Sequence, residues 1–224
     1  MNGILLLNIE LLENEAIYEK VNLLISQERK GKIDHMKSQK PARLSLGAGL
    51  LTHIALEKCG LTDKINNIEY GQHGKPYLPN SDFHLNISHS GNHVVCVYSD
   101  EPVGVDLQRV KEDLPKHTKK ILSDDETLYL NSLEAHEQIV DFYRLWSRKE
   151  SLIKWDGRGL RISLSEVSVT KNKKINNEIT FEGDLLYFKE IDFLLPKYTF
   201  CICSKKKNFP SIVQEITVEF LTKY

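Results

Sequence analysis

Apolar residues recur along this chain with two different periods, and each change of period marks an element. Met1–Ile9 is nearly continuous in apolar side chains and reads as a buried first strand. Ile17, Val21 and Leu24 then mark one helix face, and Ser26 is placed to cap a second, strongly charged helix over Gln27–Lys32. A third helix is predicted from about Pro41 to Cys59, with Leu44, Leu51, Ile54 and Ala55 inward and Gly60 as its stop. Arg43 falls in its first turn. After the turn-rich loop Tyr70–Tyr77 comes a hairpin: Phe83–Ile87 alternates, Ser90–Asn92 turns, and Val94–Tyr98 returns. Ser88 and His89 fall where the strand ends and the turn begins.

The pattern then starts again. Glu101-Pro102 breaks the chain, and Val103–Val110 reads as a strand that carries Asp106, although aspartate is depleted in strands. Ser123–Glu126 has the spacing of a capping box. A long helix follows from about Ala135 to Trp155, with Ile139, Phe142, Leu145, Trp146 and Ile153 on its apolar face and Gly157 and Gly159 at its end. From Ile162 to Phe220 short alternating strands predominate, with polar turns at Lys171–Lys174 and Lys205–Lys207. Each half runs strand, helices, then more strands. The expected architecture is therefore α+β in two similarly built halves, residues 1–102 and 103–224.

Composition narrows the function. The 224 residues carry a formal net charge of -1, which speaks against nonspecific nucleic-acid binding. An anion site must be built from locally gathered Lys, Arg and His. No apolar run approaches the roughly 20 residues that span a bilayer, and the start lacks the basic flank of a signal peptide. Cys59, Cys96, Cys201 and Cys203 do not form zinc-like pairs and read as reduced core residues of a cytoplasmic protein.

The chemistry gathers in Trp146–Lys154. Trp146, Glu150 and Lys154 are spaced by four, so they share one helix face, on or beside the side that should be apolar. One reading is a Glu150–Lys154 pair that stabilises its own helix. The other is a carboxylate that holds a cation while the lysine reaches a phosphate. Asp106 and Glu150 together suit a hard divalent ion such as Mg²⁺, which takes one or two carboxylates plus phosphate oxygens. Each acid alone also has a plain explanation as a cap, a turn bond or a salt bridge.

Gly104-Val-Asp106 followed by Trp146-Ser-Arg-Lys-Glu-Ser-Leu-Ile-Lys154 resembles the paired signature of 4′-phosphopantetheinyl transferases. Gly74-Lys-Pro76, Asn86–Gly91 and Gly157-Arg-Gly-Leu160 are similar to further blocks of the larger, Sfp-like type, in family order along nearly the whole chain. The resemblance implies a pseudo-twofold α+β monomer with coenzyme A between its halves. It implies transfer of the phosphopantetheine arm to a serine of an apo acyl or peptidyl carrier protein, releasing adenosine 3′,5′-bisphosphate, as in nonribosomal peptide or polyketide synthesis. Asp106 and Glu150 match metal ligands, and Lys154 a residue at the pyrophosphate. Ser88 and His89 match phosphate contacts, and Lys75 and Pro76 the adenine-side loop. Arg43, with Arg29 and Lys32, matches basic residues at the 3′-phosphate. The base that activates the carrier serine is Glu150, directly or through a water, or Lys154. Where the family often has Asp-x-Glu, this chain has Asp106-Leu107-Gln108. Residues i and i+2 of a strand face the same way, so Gln108 can offer a neutral oxygen as a third metal ligand. The alternatives are a binding relative without catalysis and another Mg²⁺-dependent phosphodiester enzyme.

Overall fold

The computed structural model describes residues 2–116, 118–159 and 163–224. Met1 of the predicted first strand, Leu160 of the Gly157–Leu160 block and Ile162 lie outside the described residues. The strands and helices are β1 (Gly3–Asn8), α1 (Glu15–Leu24), α2 (Gln27–Asp34), α3 (Gln39–Lys58), β2 (Glu69–Tyr70), β3 (Pro76–Tyr77), β4 (His84–Ser90), β5 (His93–Ser99), β6 (Val103–Arg109), α4 (Asp124–Leu130), α5 (Ala135–Asp156), β7 (Thr170–Lys171), β8 (Lys174–Ile175), β9 (Glu178–Phe181), β10 (Asp184–Glu190), β11 (Tyr198–Ser204), β12 (Val213–Glu215) and α6 (Val218–Leu221). Among the described residues no helix is long and apolar enough to cross a membrane.

The chain is an α+β protein folded as two compact units. One comprises residues up to Asp100 together with Pro210–Tyr224, and the other Glu101–Phe209. Residues 210–224 thus return to the first unit, whereas the sequence places them in a second half that begins at 103. Their short elements explain the difference. β12 is only 3 residues long and pairs in parallel with β1, and α6 is 4 residues long, capped by Thr217. Neither is long enough for periodicity to distinguish strand from helix.

In the first unit the sheet order is β12-β1-β5-β4. β1 lies antiparallel to β5, with Leu5 opposite Cys96 and Leu7 opposite Val94. These side chains join Leu85, Leu46, Leu50, Leu51 and Ile54 in one core, so α3 lies across β1 and β5. α3 begins at Gln39, two residues before the predicted start, which leaves Pro41 in the first turn where a missing N–H costs little. Arg43 accordingly sits beyond that turn. β4 runs on to Ser90, and Gly91-Asn92 alone make the turn, Gly91 at φ 60°. Ser88 and His89 are therefore strand residues.

The second unit repeats this build. Its sheet order is β6-β11-β10-β9, and α5 lies across β6 and β11. In each unit the opening strand pairs antiparallel with the last strand of a later hairpin, and the longest helix covers that pair. The capping box at Ser123 and Glu126 is formed as predicted, and Gly157 ends α5 in the left-handed region at φ 83°.

Candidate active site

β6 alternates across its sheet, so Gly104, Asp106 and Gln108 share the face that α5 covers. The closeness of that packing is set by Gly104. A Cβ there would stand 2.0 Å from the Ser151 carbonyl oxygen and 2.3 Å from the Trp155 nitrogen, both backbone atoms of α5. The glycine of Gly-x-Asp is what lets the helix carrying Glu150 and Lys154 come down onto the strand carrying Asp106. Gly104→Ala is expected to cost about 3 kcal/mol or more, because backbone rather than a flexible side chain must move. A thermal melt within about 2 °C of the parent would refute that account of the packing.

Asp106 is 2% exposed, and a buried carboxylate requires partners. Lys154 Nζ donates to its Oδ1 at 2.5 Å, and Gln108 Nε2 donates to its Oδ2 at 2.7 Å. Glu150 stands one turn before Lys154 on α5. Burial pushes its carboxyl group above the usual glutamate range, and the nearby Asp106 charge pushes the same way. Lys154 and the Trp146 indole N–H, 3.4 Å from Glu150 Oε1, oppose this. Trp146 is itself held by aromatic packing, stacked on Tyr143 at a 17° interplanar angle and edge-on to Phe142. Two acids, a carboxamide and an ammonium group thus meet where strand and helix cross. The oxygen-only donor set of Asp106, Glu150 and Gln108 suits a hard cation. Among the described residues no group of three or more His, Cys, Asp or Glu side chains is placed to hold a metal ion, so the set rests on two acids and a carboxamide.

The other sequence-predicted residues belong to the first unit. Arg29 and Lys32, both on α2, converge on Tyr70. Arg29 Nη2 donates to the Tyr70 hydroxyl at 2.9 Å, and Lys32 Nζ lies 4.0 Å from the ring centroid. Tyr70 pairs with Pro76 across the short β2–β3 ladder, and Gly71 N donates to the Lys75 carbonyl at 2.9 Å. Arg29 and Lys32 therefore gather around one tyrosine, and the backbone of the β2–β3 turn brings Lys75 and Pro76 next to it in the ladder, whereas the sequence marks Tyr70 only as the start of a loop. Gly49 belongs to the same arrangement, since a Cβ there would meet Arg29 Cδ at 2.7 Å. Arg43 instead holds Glu13 at 2.6 Å and Gln39 at 3.2 Å. Ser88 and His89 are consecutive on β4, so their side chains point to opposite faces, Ser88 buried and His89 exposed. The resemblance directs both at the same phosphates.

The structure also gives a role to the lysine beside Glu150, for which the resemblance offers none. Lys149 and Glu126 are each 0% exposed and form an ion pair. Lys149 Nζ also donates to the carbonyls of Ile121 at 2.7 Å and Leu164 at 2.9 Å. Glu126 accepts from the backbone of Ser123 and Val169, each at 2.8 Å. Lys149 ties three segments of the second unit together. The signal available in the sequence was the capping box, whose glutamate needs a cationic partner if it is buried.

Residues 102–203 match the family model of the 4′-phosphopantetheinyl transferase superfamily. The chain is 30% identical over 210 residues to 4′-phosphopantetheinyl transferase Sfp of Bacillus subtilis strain 168, covering 91% of this chain and 92% of that one. It is 30% identical over 206 residues to 4′-phosphopantetheinyl transferase psf-1 of Bacillus pumilus, covering 90% and 88% respectively. It is 32% identical over 131 residues to 4′-phosphopantetheinyl transferase gsp of Aneurinibacillus migulanus, covering 58% and 55%.

Proposed function

The chain belongs to the 4′-phosphopantetheinyl transferase superfamily, acting on coenzyme A and carrier proteins, and from that premise we propose that the Asp106–Glu150–Lys154 cluster is its Mg²⁺-dependent transfer site. The observation that carries this reading is the meeting of two acids from different elements beside one lysine. Asp106 and Glu150, with the Gln108 amide oxygen, would hold the ion, and a bound Mg²⁺ would supply charge neutralisation on the pyrophosphate. Lys154 reaches the same phosphates, and Ser88 or His89, whose side chains point to opposite faces of β4, is a further proposed phosphate contact. Arg43, Arg29 and Lys32 serve the 3′-phosphate, and Lys75 and Pro76 the adenine side. The carrier serine oxygen attacks the phosphorus that bears the pantetheine arm. The phosphoanhydride bond breaks and adenosine 3′,5′-bisphosphate leaves. The serine proton passes to Glu150, whose pKa burial and the Asp106 charge shift upward. Lys154 is the alternative acceptor. The proposal includes a monomer at work in the cytoplasm, a compartment that four free thiols suit. Peptidyl or polyketide carriers are the proposed acceptors.

The test is to incubate the protein with an apo carrier, coenzyme A and Mg²⁺ and weigh the carrier. A gain of one phosphopantetheine arm that disappears when a chelator is added is the expected result. Gain that ignores the chelator would remove Mg²⁺ from the proposal. No gain with any carrier would favour a binding relative.

Gln108 supplies a second measurement. Gln108→Glu adds an anionic oxygen at the same reach, so the Mg²⁺ concentration for half-maximal rate should fall about tenfold, the size of a 1.4 kcal/mol gain. Superimposable Mg²⁺ titrations would mean that Gln108 only braces Asp106 through the 2.7 Å hydrogen bond.

A further inference from the structure

We propose that Lys154 is a displaceable stand-in for the cation: it holds Asp106 while the ion site is empty and gives that carboxylate up to reach the pyrophosphate once a divalent ion binds. This rests on the transfer-site reading above. The motivating observation is that both oxygens of Asp106 already receive donors, Lys154 Nζ at 2.5 Å on Oδ1 and Gln108 Nε2 at 2.7 Å on Oδ2. An ammonium group 2.5 Å from Oδ1 puts a positive charge beside the position a divalent cation would take, so the two cations repel and compete for Oδ1. The competition is built in. Asp106 is 2% exposed and stands beside the acid Glu150, so without a cation the cluster needs an internal positive charge. Lys154 provides it from a flexible four-carbon stem whose side chain is 28% exposed, which gives it somewhere to go.

Charge follows the same logic. The cluster carries one net negative charge with Lys154 and no ion, and one net positive charge once a divalent ion is added. That excess matches an incoming pyrophosphate and an ammonium group freed to meet it. Lys154 thereby couples ion loading to phosphate capture, so coenzyme A should be gripped fully only after the ion is in place.

Chemical labelling of lysines on the whole, folded protein tests this without relying on turnover. The protein is treated with a limiting amine-acetylating reagent, alone, with Mg²⁺, and with Mg²⁺ plus coenzyme A, and modification is read by peptide mass spectrometry. The exposed Lys37 serves as the internal reference. Labelling of Lys154 relative to Lys37 is expected to rise at least threefold with Mg²⁺ and to fall again when coenzyme A is added. Identical labelling with and without Mg²⁺ would overturn the displacement. A companion titration of Mn²⁺ onto coenzyme A-free protein should show about tenfold tighter binding for Lys154→Gln; equal or weaker binding would also count against it. The carrier assay keeps the two readings apart. A carrier that gains mass with Mg²⁺ while Lys154 labelling ignores the ion would overturn displacement and leave the transfer site standing.

Discussion

Glu150→Gln will reduce transfer to a carrier by about a thousandfold, roughly 4 kcal/mol of barrier, and will leave the protein folded. The substitution keeps size and hydrogen-bonding capacity and removes one charge. If Glu150 both holds the ion and accepts the serine proton, that charge is what the reaction uses. The same change should stabilise the ion-free protein at neutral pH. Burial and the Asp106 charge raise the carboxyl group of Glu150 above its ordinary value of 4.5 in the folded state. A group whose folded pKa is raised binds more protons when folded than when unfolded just above 4.5. Its contribution is present at low pH and is lost as pH rises through the folded value. The parent should therefore lose stability over that window and Glu150→Gln should not. In the absence of Mg²⁺ and coenzyme A the variant should melt at or above the parent at pH 7, by about 2–4 °C for each kcal/mol of relieved repulsion. Near-parental turnover by a folded variant would take Glu150 out of the chemistry. A lower melting temperature at pH 7 would mean that Glu150 is held in a favourable pair rather than an unfavourable one.

These expectations were legible in the sequence to different depths. The period-four spacing of Trp146, Glu150 and Lys154 placed all three on one face of α5, and alternation placed Asp106 and Gln108 on one face of β6. Spacing within an element cannot say which elements meet. It therefore offered Glu150–Lys154 as a helix pair, whereas the ammonium group donates to Asp106. That partnership depends on the close approach at Gly104, a packing fact that leaves no periodic trace. Alternation predicts the hairpin but carries its first strand only to Ile87, and β4 runs three residues further, to Ser90. This hid the alternation that sends Ser88 and His89 to opposite faces. Tyr70 carries no signal of its own, because an aromatic residue in a turn-rich stretch says nothing about the two cations of α2 that collect on it. The C-terminal return to β1 was invisible for the same reason as the Gly104 contact: pairing in a sheet is a long-range choice.

Lys149→Met is expected to damage stability severely, although it alters no proposed ligand. In the sequence Lys149 is one of three consecutive charged residues, Arg148-Lys-Glu150. In the structure it is 0% exposed, paired with an equally buried Glu126, and bonded to the carbonyls of Ile121 and Leu164. Burial holds its ammonium group below the usual lysine range while the Glu126 carboxylate pulls the other way, so the pair itself is no large net source of stability. Breaking it is another matter. Methionine fills a similar volume but leaves a buried carboxylate without its cation and two carbonyls without a donor. Removing one partner of a buried pair costs about 3–5 kcal/mol, which in a chain of this size lowers the melting temperature by about 6–20 °C. The double variant Lys149→Met with Glu126→Gln removes both charges and should recover part of that loss, because an uncharged amide keeps its one oxygen as acceptor for the backbone N–H of either Ser123 or Val169, which meet different oxygens of Glu126. Thermal melts of the two single variants and the double variant decide the matter. If the double variant loses the full sum of the single losses, the two side chains act independently. If Lys149→Met melts with the parent while coenzyme A binding weakens, Lys149 is a ligand of the substrate rather than a tie within the second unit.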